Sequence, residues 1–164
     1  MILVGLGSNL ITERHSTSVQ VLESAINSLA QKGILVDEIS SWYRSAPVPA
    51  SDQPWFVNAV ARVSTGLAPA DLLQVLHQVE AEYGRVRNLP NDSRTLDLDL
   101  LAYGDAIISD PRGLVLPHPR LAERAFVLLP LAEVAPDWRH PVTGRTAAEM
   151  LETLPAGQQV EKMA

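Results

Sequence analysis

An α+β fold, with helices packed on an antiparallel sheet, is predicted by two features of this chain: the order of its apolar periodicities and the stop signals between them. Up to Gly104 these periodicities run strand, helix, strand, strand, helix, strand, with glycine or proline at the changeovers. Residues 2–7 are a short apolar strand that ends in the small, polar turn Gly7-Ser8-Asn9. The spacing of Val19, Leu22, Ile26 and Leu29 predicts a helix from about Thr17 to Gln31, stopped by Gly33. Alternation over residues 34–44 predicts the second strand, and a loop with Pro47, Pro49 and Pro54 separates it from a third, about Phe56 to Thr65. Pro69 opens a second helix that turns Leu72, Leu76, Val79 and Tyr83 to the core and stops at Gly84. The fourth strand is Leu96-Asp97-Leu98-Asp99-Leu100.

This order predicts a ferredoxin-like βαββαβ core with two helices on one sheet face. Beyond Gly104 the prolines at 111, 117, 119, 130, 136 and 141 break the pattern into a C-terminal extension of short strands and helices. Its last helix is marked by Thr146 and Glu149, a capping box ahead of Met150, Leu151 and Leu154.

With 164 residues, 46% of them hydrophobic, the chain can bury one full core, so residues 1–164 are expected to form a single domain. The absence of cysteine removes disulfides and thiolate metal sites. No basic leader and no apolar run of about 20 residues is present, which leads us to expect a cytoplasmic protein with no membrane partner. A net charge of −6 argues against nucleic acid as a partner, and the lack of heptads leans toward a monomer. Eleven of the thirteen basic residues are arginine, and Arg85, Arg87 and Arg94 cluster beside the fourth strand.

That cluster and the neighbouring aspartates carry the chemistry. In a strand, Asp97 and Asp99 share a face roughly 6.5 Å apart while Leu96, Leu98 and Leu100 face oppositely. The apolar run favours a central strand, where two close carboxylates repel unless a hard divalent cation lies between them. Arginines are suited to bidentate capture of phosphate oxygens, so the combination reads as phosphoryl transfer. The competing reading is the solvated face of an edge strand paired with local arginines.

The chain resembles the 6-hydroxymethyl-7,8-dihydropterin pyrophosphokinase family over nearly its whole length. The resemblance rests on Gly7-Ser8-Asn9-Leu10, Tyr43-Arg44-Ser45-Ala46-Pro47, Asp52-Gln53-Pro54, Phe56-Val57-Asn58-Ala59, Gly84-Arg85-Val86-Arg87, Arg94 to Asp99, Pro117-His118-Pro119-Arg120 and Arg124-Ala125-Phe126. It implies transfer of pyrophosphate from ATP to a pterin alcohol with release of AMP, in folate biosynthesis. It also implies two Mg²⁺ ions on Asp97 and Asp99, with Arg85 and Arg94 joining them as the catalytic set. ATP would be held by Leu73, His77, Glu80, Arg85, Arg87, Arg94, Leu100, His118 and Arg124. For His77 and Glu80 a surface pair, and for His118 a loop histidine capping a backbone turn, are the plainer readings.

The pterin, flat with amide-like edges, would lie between Phe56 and Phe126, with Asn58 reading its edge through both amide groups and Ser45, Ala46, Pro47 and Val48 contributing backbone groups. Between Arg87 and Arg94 the family places a mobile lid with a tryptophan, whereas this chain reads Asn-Leu-Pro-Asn-Asp-Ser. After Leu10 it also lacks the Gly-Asp of many members. Two rivals remain on sequence alone: a noncatalytic ferredoxin-like module that binds a nucleotide or metabolite and regulates a partner, and a nucleotidyltransferase that releases pyrophosphate.

Overall fold

The structure is a computed structural model that describes residues 1–9, 17–47, 54–84 and 96–163. Strand β1 (Ile2–Ser8) is followed by α1 (Ser18–Gln31), β2 (Leu35–Ile39), β3 (Tyr43–Ser45), β4 (Phe56–Ser64), α2 (Pro69–Glu82) and β5 (Asp97–Tyr103). A small hairpin, β6 (Ile108–Ser109) and β7 (Val115–Leu116), then leads through a 3₁₀ turn (Leu121–Glu123) to α3 (Ala125–Val134), α4 (Ala147–Glu152) and β8 (Val160–Lys162). The predicted α+β class holds, with an antiparallel sheet and, among the described residues, four helices.

Cap chemistry sets the helix ends. Thr17 and Gln20 close a capping box at the start of α1, and Gly33, at φ +84°, takes the left-handed position that ends it. The Thr146–Glu149 box starts α4 as the sequence indicates.

The sheet runs β5-β1-β4-β3-β8, and β2 also pairs with β4. The single strand expected over residues 34–44 is therefore two strands on one neighbour. Ser40 breaks it: its backbone N–H reaches the Val60 carbonyl at 3.0 Å while its hydroxyl accepts the Val60 N–H, also at 3.0 Å. The register of β2 against β4 has already slipped between Val36 and Glu38.

Two cores flank the sheet. On one face Leu22 and Leu29 of α1 and Leu72 and Leu76 of α2 pack on Val4, Leu6, Leu96, Leu98 and Leu100. The opposite face, which the sequence reading left uncovered, is closed by Leu128, Leu131 and Met150 of α3 and α4 on Leu3, Val60 and Leu101. Pro130 lies inside α3 rather than ending it. That helix is apolar nearly all round because it is buried between sheet and α4, and this packing offsets the one lost backbone bond.

Candidate active site

The register places a row of functional side chains across the sheet. Asp97 of β5 lies opposite Gly7 of β1, Gly7 opposite Asn58 of β4, and Asn58 opposite Tyr43 of β3. One pair further along, Asp99 faces Gly5, and in the other direction Ser45 faces Phe56. Opposed residues share a sheet face, and Val60, two residues from Asn58, packs against α3. Asp97, Asp99, Asn58, Phe56 and Ser45 thus lie together on the α3 side. The expected split of β5 holds as well, since Leu96, Leu98 and Leu100 are buried on the other side.

On this face Gly5 leaves room for the Leu101 side chain and Gly7 for the Asn58 amide, a role the sequence reading missed when it took Gly7 only as part of a turn. A Cβ on Gly7 would stand 3.1 Å from Asn58 Oδ1 and 3.9 Å from Asp97 Cβ. The backbones of Asn58 and Asp97 are two strand spacings apart, roughly 10 Å, and the Asn58 amide oxygen leans over Gly7 into the gap between them. Glycines at strand spacing, opposite aspartates at strand spacing, were the available signal. Asn58 is buried and donates from Nδ2 to Ser45 Oγ at 2.7 Å, so one of its amide N–H groups is committed to the protein. Asn9, also buried, donates to the Pro54 carbonyl at 3.3 Å and ties the end of β1 to the segment entering Phe56.

The strand that carries the aspartates is at the sheet edge, not at its centre as its apolar run suggests. Its outer backbone groups are satisfied by side chain and loop instead of by another long strand. Glu80 of α2, 1% exposed, accepts the Leu98 N–H at 2.8 Å, between the two aspartates in sequence. The Leu101 carbonyl accepts the His118 N–H at 2.9 Å. Glu80 is therefore no member of a surface pair: His77 is exposed on α2, whereas the Glu80 carboxylate is buried against β5.

His118 caps a turn, its Nδ1 accepting the Arg120 N–H at 3.1 Å. That bond puts the ring proton on Nε2, which makes the neutral imidazole a hydrogen-bond donor outward. Burial, helped by the charges of Arg124 and Arg120 and opposed by Asp97, pushes its pKa down to about 4. The turn reading and a site role thus coexist, because His118 feels the charges of both Asp97 and Arg124. Arg124 precedes α3 and lies over the Phe126 ring, 5.4 Å from its centroid.

Other expected residues fall as follows. Phe56 and Phe126 are half-buried, as are Ala46 and Pro47, while Ser45 is buried. Leu73 is half-buried against the α1–α2 core, and the Leu100 side chain is inside that core, leaving only its backbone at the strand edge. Val48, Arg85, Arg87 and Arg94, together with the expected lid, lie outside the described residues. Sequence reading also passed over Trp55, whose ring carries the Arg44 guanidinium 5.2 Å from its centroid.

As a metal site, the donor set is two carboxylates. Among the described residues no cluster of three or more His, Cys, Asp or Glu side chains is poised for a metal. Oxygen-only donors in that number suit Mg²⁺, which keeps several waters and completes its shell with substrate phosphates. No helix among the described residues is long and apolar enough to cross a membrane.

Residues 3–136 match the family described as 7,8-dihydro-6-hydroxymethylpterin-pyrophosphokinase. The chain is 44% identical over 154 residues to the 2-amino-4-hydroxy-6-hydroxymethyldihydropteridine pyrophosphokinase of Pseudomonas aeruginosa, covering 94% of this chain and 91% of that protein. It is also 44% identical over 156 residues to the protein of the same name from Methylorubrum extorquens, covering 94% of each. It is 40% identical over 153 residues to the folic acid synthesis protein fol1 of Pneumocystis carinii, where 93% of this chain matches 20% of a much longer protein. The aspartate pair, the glycines opposite it and the asparagine beside them stand within the matched span, and the chain belongs to the 7,8-dihydro-6-hydroxymethylpterin-pyrophosphokinase family.

Proposed function

We infer that the α3 face of the sheet is where this pyrophosphokinase joins its two substrates. The activity itself, transfer of pyrophosphate from ATP to the hydroxymethyl group of 6-hydroxymethyl-7,8-dihydropterin in folate biosynthesis, comes with the family. The observation that carries the site assignment is the row Asp97–Gly7–Asn58. It carries an edge-reading amide and a metal-binding carboxylate on strands whose backbones are roughly 10 Å apart, with only a glycine between. A pterin whose ring edge meets Asn58, between Phe56 and Phe126, has its hydroxymethyl arm directed toward Asp97.

Asp97 and Asp99 would hold two Mg²⁺ ions, which when bound neutralise the triphosphate and align attacking and leaving oxygens. The chain's own groups do the rest. The pterin hydroxyl oxygen bonds to the β-phosphorus as the bond from that phosphorus to the α–β bridging oxygen breaks; the bridging oxygen leaves on AMP, and the hydroxyl proton is released to water. Nε2–H of neutral His118 donates to a phosphate oxygen, and Arg124 adds a fixed positive charge beside it. Arg85, Arg87 and Arg94 are assigned to the phosphates, a task suited to the guanidinium group. Glu80 acts through β5, by fixing the backbone between the aspartates. His77, Leu73 and the Leu100 backbone are assigned to the nucleotide side, and Ser45, Ala46, Pro47 and Val48 to the pterin rim.

The sheet order, with β5 beside β1 and β1 beside β4, supports a ferredoxin-like core in which β2 and β3 together take the place of the second strand, followed by a C-terminal extension. A single domain acting as a cytoplasmic monomer is part of the same reading. Chromatography of products after incubation with ATP, Mg²⁺ and the reduced pterin tests it. AMP is expected, and release of pyrophosphate would mean nucleotidyl transfer instead. Asp97→Ala and Asp99→Ala should each abolish most AMP release while the protein stays folded, and near-normal turnover in either would remove the metal assignment.

A further inference from the structure

The C-terminal segment from Gln158 through β8 lies beyond the residues that match the family model, yet it bonds to the elements on both sides of the proposed pterin pocket. Strand β8 pairs with β3, and the Gln159 carbonyl just before it accepts the Ala46 N–H at 3.1 Å. The neighbouring residue reaches the other way. Gln158 Oε1 accepts the Ala125 N–H at 2.8 Å, and Gln158 Nε2 donates to the Glu123 carbonyl at 2.9 Å. One amide therefore grips the backbone on both sides of Arg124, at the start of the helix that carries Phe126.

These bonds answer a specific need. The first N–H groups of a helix have no partner within it, and α3 has no side-chain cap at its N-cap, Arg124. A short side chain at that position would cap the helix, but Arg124 is turned over the Phe126 ring. Gln158 supplies the missing acceptor from outside. At the far end of α3, Glu133 accepts hydrogen bonds from the Tyr43 hydroxyl and, at 3.0 Å, from the Ser41 N–H. Glu133 is seven residues from Phe126, about 10 Å along the axis, too far to fix the orientation of the first turn.

We propose that Gln158 is a positioning residue for pterin recognition: through its two backbone bonds around Arg124, and through β8, it sets the spacing between the Phe126 wall and the Ser45–Pro47 rim. The inference rests on the pterin pocket proposed above. A residue with this role acts through Phe126 and Arg124, so its loss loosens the pterin site without emptying it.

The test compares Gln158→Ala, Phe126→Ala and the double variant in the full chain, using pterin fluorescence to measure binding in the presence of Mg²⁺ and a nonhydrolysable ATP analogue. Gln158→Ala should raise the pterin Kd roughly five- to tenfold, as the loss of about one hydrogen bond's worth of order in the pocket would. Its thermal midpoint should fall modestly, as loss of a helix-end hydrogen bond does, and kcat at saturating pterin should fall less than KM rises. The loss in the double variant should be smaller than the sum of the two single losses, because Gln158 acts in large part through Phe126. Gln158→Glu, which keeps an acceptor for Ala125 but no donor for Glu123, should fall between wild type and Gln158→Ala. An unchanged Kd in Gln158→Ala alongside a large loss in Phe126→Ala would overturn the clasp and leave the pocket standing. Additive losses in the double variant would make Gln158 merely structural. If Phe126→Ala itself binds pterin normally, the pocket assignment falls and the clasp with it.

Discussion

Acidification from pH 7 to pH 4 should cost the unliganded protein about 3 kcal/mol through His118 alone. In the folded chain its imidazole resists protonation until about pH 4, because it is buried and faces Arg124 and Arg120. Unfolded, it takes up a proton near its usual value of 6.5. Between those two values the unfolded state binds the extra proton, so stability is fully present above pH 6.5 and is lost as the pH falls toward 4. The gap, at ~1.4 kcal/mol per pH unit, is worth about 3 kcal/mol. His118→Asn isolates this contribution from the carboxylates that titrate in the same range, since an amide oxygen can still accept the Arg120 N–H but does not titrate there. Urea unfolding of both proteins at intervals from pH 7.5 to pH 4 should show wild type losing about 3 kcal/mol more than the variant. Parallel curves would refute the reasoning. They would mean that the folded imidazole protonates as freely as the unfolded one and could not serve as a neutral donor at the phosphates.

Three further outcomes are expected. Gly7→Ala should leave thermal stability unchanged or slightly raised, since a strand gains from losing a glycine, while its Cβ presses on Asn58 Oδ1 and raises the pterin KM roughly tenfold; an unaltered KM would show that Asn58 does not read the pterin from its present position. Arg94→Ala should lower kcat by roughly 10²–10³-fold, as loss of one preorganised donor does, whereas Arg62→Ala, which removes only the exposed 3.0 Å pair with Glu38 between β4 and β2, should leave kinetics as they are; similar losses at both in steady-state assays would mean that arginine replacement acts through stability. Glu80→Ala, which strips the acceptor from the buried Leu98 N–H, should destabilise the fold by roughly 1–3 kcal/mol and raise the Mg²⁺ concentration needed for half-maximal rate, with Glu80→Gln recovering most of both; equal behaviour of the two variants in urea unfolding and Mg²⁺ titration would discount that hydrogen bond.

What the sequence could disclose was governed by whether a signal is local. The Thr146–Glu149 box and the alternation of Asp97 and Asp99 with leucines are each complete within a few residues, and each appears in the structure where its spacing puts it. Pro130 and the long alternation over 34–44 misled for the opposite reason. A proline inside a helix is decided by what the helix packs against, and a strand break at Ser40 by a hydroxyl meeting Val60 twenty residues away. The apolar run of β5 misled in the same way. It suggests a central strand because apolar residues want cover on both sides, but cover and hydrogen bonding need not come from strands. Here α2 covers one side of an edge strand, and a buried glutamate and the backbone of His118 occupy its open hydrogen-bonding groups. That arrangement bears on chemistry. With β1 holding one edge of β5 and Glu80 the other, the strand backbone is fixed and the two aspartates keep their spacing on the α3 face, as the proposed metal pair requires.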